Sequence, residues 1–392
     1  MIKNFFRVGN RRVELIADSG RVGCQSSHFH LHNTPRQVMR YTTICVKMTQ
    51  RNTRKVYCTY LESPEHQFPG HPESPKRIQA LRGWLKSPLY PEIEWLDFQP
   101  AVESDIALVH DQRLLAKLSA ECQQGTHEFE SSPSYVTESS YQSALNAVGA
   151  TLAVSRRIIE EGQGSGFAIV RPPGHHAEYD TSMGFCLLNN IAIAVADAIA
   201  SGLQCAAIID FDAHHGNGTQ TTFQATQEVS YYSMHEADIF PGTGKMDSAP
   251  HARGRIVNIP MPAFAGNEAF QQVLREVINP LLAQNPPEMI FVSAGFDAHF
   301  SDPLTSLTLD TMGYFQLIQS LMEMAALYCG GRIMLVLEGG YDPIALKDNI
   351  QACLAALSGH SEFPDHYGKA PGVKPEMSTI IKTLQEMHDI KE

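Results

Sequence analysis

Residues 208–218 read Ile-Ile-Asp-Phe-Asp-Ala-His-His-Gly-Asn-Gly, an apolar run that ends in two acids and two histidines before it meets glycines. In an open α/β sheet, ligands and catalytic groups lie beyond the carboxyl ends of the strands, which is where these polar residues fall. Asp212 and His214 stand two positions apart, so their side chains point the same way on an extended segment. A carboxylate and an imidazole are both ligands that suit zinc. The stretch therefore predicts a buried strand that delivers two metal ligands to one edge of a sheet.

Other short apolar runs repeat this plan, and helical stretches such as residues 140–160 separate them. The runs are residues 56–60, 167–170, 206–209, 289–292 and 333–337. This alternation predicts an α/β fold in three layers, a mostly parallel sheet with helices on both faces. No internal repeat or linker follows residue 55, so we expect one catalytic domain over residues 55–375. A C-terminal tail with an amphipathic helix should occupy residues 376–392.

The composition excludes several classes of protein. Of the 392 residues, 43% are hydrophobic and 18% are charged, as in ordinary soluble enzymes. No apolar run approaches the roughly 18 residues that suggest a membrane span. The eight cysteines form no Cys-x-x-Cys pair, which argues against a disulfide framework or a cysteine zinc site. We therefore expect a cytoplasmic protein without a membrane partner.

Charge is distributed unevenly along the chain. Residues 1–55 contain eleven Lys and Arg against Glu14 and Asp18, a net charge of +9, so the remainder carries −12 − 9 = −21. An acidic body disfavours direct nucleic-acid binding and attracts cationic substrates. We expect residues 1–54 to be a basic extension that is disordered or resembles a presequence. If residues 1–47 are a transit peptide the protein is organellar, and if Met48 is the true initiator they are absent from it.

Polar residues cluster after four of the predicted strands. The four clusters are residues 171–177, 210–218, 293–299 and 338–341. Asp212, His214 and Asp297 supply three metal ligands and leave a coordination position open for water, as in catalytic zinc sites. The resulting site would polarise a carbonyl group and activate water.

The remaining residues of these clusters complete a hydrolytic site. His175 or His176 is the candidate general base and acid. Asp210 and Asn217 are candidates to accept the hydrogen bonds that orient the two imidazoles. Tyr341 is a candidate donor to an oxyanion. Together these residue types predict metal-assisted hydrolysis of an amide.

Residues from about 55 to 360 resemble the zinc-dependent histone deacetylase family, and within it the class II branch with its bacterial amidohydrolases. Five motifs match in order, which makes the resemblance specific. They are Arg-Pro-Pro-Gly-His-His-Ala (171–177), Gly-Phe-Cys-Leu-Leu-Asn-Asn (184–190), Asp-x-Asp-x-His-His-Gly-Asn-Gly-Thr-Gln (210–220), Phe-Pro-Gly-Thr-Gly (240–244) and Glu-Gly-Gly-Tyr (338–341). The resemblance implies the arginase/deacetylase fold with an eight-stranded sheet. It also implies release of acetate and free amine from acylated lysine, in a peptide, a protein or a small acylated amine.

The resemblance also assigns roles by position. It implies one catalytic zinc on Asp212, His214 and Asp297, His176 as the proton shuttle beside His175, and Tyr341 as the oxyanion donor. Its acyl-lysine tunnel maps onto Gly174, Phe185, Phe240 and Leu304. It implies one or two structural potassium ions. The first maps onto Asp210, Asp212, His214, Ser233 and Met234, and the second onto Phe223, Thr226 and Val229.

Three alternatives follow from departures and rivals. Polyamine-specific relatives carry an acid after the Asp-Pro pair where this chain has Leu304, which weakens but does not remove an acetylpolyamine amidohydrolase as an alternative. The second alternative is a binuclear manganese ureohydrolase. It needs further carboxylate ligands at positions 216 and 299, but this chain has Gly216 and His299 there, so a second metal ion lacks its ligands. A catalytically weak acetyl-lysine binding module is the third alternative. In the loop near residues 130–139, no acid is assigned to bind the backbone of the substrate. The sequence predicts no oligomeric state.

Overall fold

The computed structural model describes residues 2–8, 11–17, 55–85, 90–129, 134–372 and 375–390. The strands are β1 (Ile2–Val8), β2 (Arg11–Ala17), β3 (Val56–Leu61), β4 (Ile93–Trp95), β5 (His127–Glu128), β6 (Tyr135–Val136), β7 (Ser165–Val170), β8 (Ala206–Asp210), β9 (Val229–Glu236), β10 (Ile256–Met261), β11 (Met289–Ala294) and β12 (Ile333–Leu337). The α-helices are α1 (Lys76–Gln79), α2 (Arg82–Leu85), α3 (Glu103–Ile106), α4 (Gln112–Cys122), α5 (Ser140–Glu161), α6 (Asn190–Ala200), α7 (Asn217–Phe223), α8 (Asn267–Val273), α9 (Asn279–Gln284), α10 (Thr311–Tyr328), α11 (Pro343–Ser358) and α12 (Ser378–Met387).

Eight strands form the central sheet in the order β10-β9-β8-β11-β12-β7-β3-β4, and every pairing is parallel. The predicted eight-stranded sheet is confirmed. The four strands that precede the polar clusters, β8, β11, β12 and β7, are consecutive neighbours in this order. Because parallel strands end at the same edge, all four clusters meet there.

Both faces of the sheet are buried. Ile208 belongs to the hydrophobic cluster that includes residues of α5 and α6, whereas Ile209 belongs to the cluster that includes residues of α10 and α11. Adjacent strand residues point to opposite faces, so a run of consecutive apolar residues is what a doubly covered sheet requires. This explains why the apolar runs predicted five of the eight strands.

The sequence analysis missed β4, β9 and β10. In β9, Tyr231, Tyr232 and Ser233 are fully buried and break up the apolar pattern. In β10, Asn258 and Pro260 do the same. A proline has no N–H for the ladder and is confined to edge strands, which is where β10 lies.

The chain divides into two compact units, residues 1–51 and residues 52–392. In the first unit, β1 and β2 pair antiparallel, with Phe5 opposite Glu14. The sequence analysis expected no strands there, although Gly9-Asn10 between them is a dipeptide typical of tight hairpins. The rest of the predicted extension, residues 18–54, lies outside the described residues.

The C-terminal helix belongs to the second unit. The helix predicted within residues 376–392 is α12, and it buries Ile381 and Leu384 in the core of that unit instead of forming a separate tail. Across the described ranges, no helix is both long and apolar enough to cross a membrane.

Candidate active site

Three potential metal ligands converge beyond β8 and β11. The Nδ1 atom of His214 lies 3.2 Å from Oδ1 of Asp212 and 2.9 Å from Oδ2 of Asp297. The ligand atoms of all three residues lie within 4.8 Å of one another. Both carboxylates are buried, and their mutual repulsion in a low-dielectric site favours a bound cation. The cluster that the sequence predicts as the zinc site therefore forms, and its two carboxylates and imidazole fit zinc.

Two glycines leave room for this cluster. A Cβ atom on Gly295 would lie 2.0 Å from Oδ2 of Asp212, and one on Gly339 would lie 2.4 Å from Oδ2 of Asp297. Any side chain at either position would displace a carboxylate. The glycines of the third and fourth polar clusters are therefore required by the close approach of the backbone to the ligands.

The two adjacent histidines are oriented by the partners that the sequence predicts. Nδ1 of His175 lies 3.1 Å from Oδ2 of Asp210, and Nδ1 of His176 lies 2.8 Å from Oδ1 of Asn217. The amide nitrogen of Asn217 donates to Glu178 at 2.7 Å, which leaves its oxygen to accept from His176. This contact places the proton of neutral His176 on Nδ1 and leaves Nε2 with a free lone pair.

The two imidazoles differ in charge. Burial alone would lower the pKa of His175, but Asp212, Asp210 and Glu338 raise it to about 10. Burial lowers the pKa of His176 well below its usual value, and the neighbouring His175 and His214 lower it further. The adjacent acids thus favour the charged form of His175, whereas burial and the neighbouring imidazoles favour the neutral form of His176, the form that can accept a proton.

Tyr341 is held from both sides. Its backbone N–H donates to Oδ2 of Asp302 at 2.6 Å, while Oδ1 of Asp302 accepts from Leu304 at 3.0 Å. The guanidinium of Arg77 lies 4.8 Å from the centre of the Tyr341 ring. Asp302 therefore fixes the loop that carries Tyr341.

A buried cluster behind this loop was missed by the sequence analysis. Arg77 donates to the carbonyl oxygens of Gly340 at 2.7 Å and Glu338 at 2.5 Å. Glu73 accepts from Arg77 at 3.2 Å and from Arg171 at 2.5 Å. The available signal was an acid and a base four residues apart at the start of a helix.

Glu338 joins this cluster to the histidines. Its carboxylate accepts from the backbone N–H groups of Gly174 at 2.7 Å and His175 at 3.1 Å. The sequence predicts Gly174 as part of the tunnel. However, a Cβ atom on Gly174 would lie 2.5 Å from the backbone nitrogen of Asn190, so a side chain at position 174 would collide with the start of α6. Gly174 thus permits close packing behind His175.

The two aromatic residues predicted for the tunnel, Phe185 and Phe240, contact the candidate catalytic side chains. The ring of Phe240 meets His176 edge-on at 5.1 Å between centres, and the ring of Phe185 meets Tyr341 edge-on at 5.7 Å. Phe240 and Leu304 are exposed by 38% and 40%, so both reach the surface. Phe185 has a φ of 67°, a strained backbone value that concentrates at functional sites. Its N–H donates to Ser134 at 3.1 Å, and residues 130–133 of that loop lie outside the described residues.

The residues of the first predicted potassium site come together. Asp210 of β8 and Ser233 of β9 are register partners, Met234 follows Ser233, and Asp212 and His214 continue from β8. Asp210 is fully buried, and oxygen atoms are the donor type that suits potassium.

An arginine side chain lies at the second predicted potassium site. The carbonyl oxygens of Phe223 and Val229 accept hydrogen bonds from the guanidinium of Arg255 at 2.8 and 3.0 Å. Arg255 thus contacts two of the three carbonyl groups on which the resemblance places a second potassium ion, and the ion on Phe223, Thr226 and Val229 stays a prediction.

A second catalytic metal also lacks ligands. A Cβ atom on Gly216 would lie 2.4 Å from Oδ2 of Asp210, so no carboxylate fits there. His299 is buried, and its Nδ1 contacts Ser301 at 2.9 Å. Within the described part of the chain, one other group of three potential ligands exists, His175, Cys186 and Glu338, and its Glu338 already accepts two backbone hydrogen bonds.

Comparison with known proteins agrees with this geometry. The sequence model of the histone deacetylase domain family matches residues 71–357 of this chain. The chain belongs to the histone deacetylase family. It is 34% identical over 322 residues to histone deacetylase 14, chloroplastic, of Arabidopsis thaliana, which covers 77% of this chain and 76% of that protein. It is 33% identical over 337 residues to a probable deacetylase of Archaeoglobus fulgidus, covering 83% and 93%.

A solved structure shares the fold of this histone deacetylase domain. The crystal structure of the HD domain of HDA15 superposes with a TM-score of 0.75 at 28% identity, covering 86% of this chain and 94% of that one. The resemblance inferred from five motifs is confirmed, and so is the arginase/deacetylase fold. The family and its deacetylase relatives support hydrolysis of acyl amides in general.

Proposed function

We propose that this chain is a zinc-dependent deacylase that hydrolyses the amide of acetylated lysine or a lysine-like amine and releases acetate and the free amine. The observation that carries the proposal is the cluster of Asp212, His214 and Asp297 beside a neutral His176. Zinc bound there would supply Lewis-acid polarisation of the scissile carbonyl and of water.

The chain's own residues perform the proton transfers. Nε2 of His176 takes a proton from the attacking water, because Asn217 holds the proton of neutral His176 on Nδ1. The same nitrogen returns that proton to the leaving amine. Tyr341 donates its hydroxyl hydrogen bond to the oxyanion that develops on the carbonyl oxygen.

The walls of the site favour a lysine-like substrate. Phe185 and Phe240 offer aromatic faces to an aliphatic stem, and Leu304 presents an uncharged edge at the rim. A mostly apolar lining with a few polar groups is the usual design of a small-molecule site. We therefore place acetyl-lysine peptides and small lysine-like amides ahead of acetylpolyamines.

A substrate panel tests the proposal. An acetyl-lysine peptide and acetylspermidine are assayed for release of acetate, with and without a zinc chelator. We expect turnover of the peptide, its loss with chelator and its return with zinc. A higher kcat/KM for acetylspermidine would establish the polyamine alternative, and tight binding of the acetyl-lysine peptide without acetate release would establish the binding module.

The compartment is a separate question. Two relatives are named as chloroplastic, one from Arabidopsis thaliana and one from Oryza sativa. This supports the organellar alternative over the cytoplasmic one. A fluorescent fusion of residues 1–54 tests it: import into an organelle supports a transit peptide, and a diffuse cytosolic signal contradicts it.

A further inference from the structure

The turn between α7 and β9 is closed by a side chain from the edge of the sheet. Arg255 immediately precedes β10 and is 9% exposed. Its Nη1 atom donates to the carbonyl oxygens of Phe223 at 2.8 Å and Val229 at 3.0 Å, and its Nη2 atom donates to that of Gln224 at 2.6 Å. One guanidinium thus satisfies three carbonyl groups of a single turn.

The three carbonyl groups of the predicted ion site already accept hydrogen bonds. The oxygen of Phe223 also accepts from the backbone N–H of Thr226 at 3.0 Å, which uses its second lone pair. The oxygen of Thr226 accepts from the backbone N–H of Val229 at 3.4 Å. A potassium ion bound to these oxygens would also lie against a guanidinium of like charge, which costs free energy in a poorly solvated site.

We propose that Arg255 takes the place of the second structural potassium ion, so that the positive charge at this turn is covalently part of the chain. Guanidinium and potassium carry the same charge, but the guanidinium fixes the direction of each hydrogen bond and cannot dissociate. The turn is thereby fastened to the start of β10 without an ion. Monovalent cations then act on this domain through the first site alone. The proposal is independent of the catalytic function proposed above.

Counting bound cations tests the proposal on the intact protein. Equilibrium dialysis with radioactive rubidium as a potassium surrogate should find at most one cation per wild-type chain. The Arg255→Ala variant should bind one more, because the carbonyl oxygens are released. The control is Arg253→Ala, which removes a half-exposed arginine that contacts Glu386 and Asp389, and it should bind as wild type does.

Thermal unfolding supplies a second readout. In a buffer whose only cation is N-methylglucamine, Arg255→Ala should melt several degrees below wild type, because three carbonyl groups lose their partner. Added potassium should raise the melting temperature of Arg255→Ala more than that of wild type. Two cations per wild-type chain would overturn the proposal even if the variant fails to fold. Equal counts, or equal potassium-induced shifts in the folded proteins, would overturn it as well.

Discussion

Two buried charged clusters lie side by side in this domain and are balanced in opposite ways. In one, which we call the self-balanced cluster, the carboxylate of Glu73 is paired with the guanidinium groups of Arg77 and Arg171, so the chain itself supplies the positive charge. In the other, which we call the metal cluster, Asp212 and Asp297 lie on either side of His214. Among the described residues, no lysine or arginine contacts either carboxylate. The first cluster is complete as the chain folds, whereas the second is arranged to receive a cation.

The difference explains how the site can be both rigid and reactive. Arg77 ties the self-balanced cluster to the loop of residues 338–341, so that cluster positions Tyr341 without touching a substrate. In the other cluster the basic partners of the carboxylates within the described residues are His214 and His175, and a metal bound there would replace the proton of His214. The turn closed by Arg255 resembles the self-balanced cluster, because a side chain of the protein supplies the positive charge at a position where the family resemblance implies a potassium ion.

The largest expected effect is on stability and comes from the self-balanced cluster. Glu73→Gln leaves the guanidinium groups of Arg77 and Arg171 buried beside a neutral amide. Breaking a buried ion pair by removing one partner costs about 3–5 kcal/mol. Urea unfolding of the metal-free protein should show a loss of this size in the free energy of unfolding.

The matched control removes an acid from the metal cluster. Asp212→Asn in metal-free protein should lower the free energy of unfolding by less than Glu73→Gln does, because it also relieves repulsion with Asp297. If the two variants lose equal stability, the two clusters are not balanced differently and the comparison fails.

The next effect is on the chemical step. Tyr341→Phe removes one hydroxyl group and little volume. Loss of an oxyanion donor costs about 10²–10³ in rate. Steady-state kinetics should show this fall in kcat, with zinc content and KM changed much less. A kcat within a few-fold of wild type would remove Tyr341 from the chemistry and leave the self-balanced cluster without a catalytic consequence.

A smaller effect is expected at the rim. Leu304→Glu adds an acid that can pair with the distal ammonium of a polyamine. One such pair worth about 1.4 kcal/mol changes a ratio of kcat/KM values tenfold. The ratio for acetylspermidine over an acetyl-lysine peptide should rise by about that factor, and Leu304→Gln should leave it nearly unchanged. Equal ratios in all three proteins would show that Leu304 does not face the substrate.

The smallest effect is a change in pH dependence. Asn217→Asp places a carboxylate at Nδ1 of His176 and raises the pKa of that imidazole. His176 must be neutral to accept a proton, so activity falls as the pH falls through this pKa, and a higher pKa moves the acid limb to higher pH. We expect the acid limb of kcat/KM to move up by about one pH unit.

The same variant needs a control for its neighbour. Glu178 accepts from the amide nitrogen of Asn217, so the new carboxylate would repel it. Glu178→Gln is therefore tested alone and combined with Asn217→Asp. A limb that moves with Glu178→Gln alone would show that Asn217 does not set the protonation of His176.

The sequence predicted those parts of the molecule in which local pattern and tertiary environment agree. The apolar run at residues 206–209 predicted a strand because both faces of β8 are buried. The polar residues after it predicted the site because strand ends meet at one sheet edge. In β9, by contrast, fully buried Tyr231 forms a hydrogen bond to Asp210 at 2.9 Å, a partner that no local pattern reveals.

Long-range charge pairing could not be predicted either. Glu73 and Arg171 are 98 positions apart, and only the fold brings them together. Arg255 likewise gave no sign that it would reach back to Phe223, 32 positions earlier. The resemblance to the family supplied a potassium ion at that turn because it transfers positions, whereas the side chain that fills the turn belongs to this chain.

Reconstitution with zinc tests the central claim most directly. Metal-free wild-type protein is titrated with zinc while acetate release from an acetyl-lysine peptide and zinc retention after gel filtration are both measured. Activity should rise from near zero to a plateau at about one zinc per chain, and Asp212→Asn should show neither retained zinc nor turnover. Full turnover by protein that is free of zinc, or by Asp212→Asn without bound zinc, would contradict the assignment of the metal cluster as the catalytic metal site.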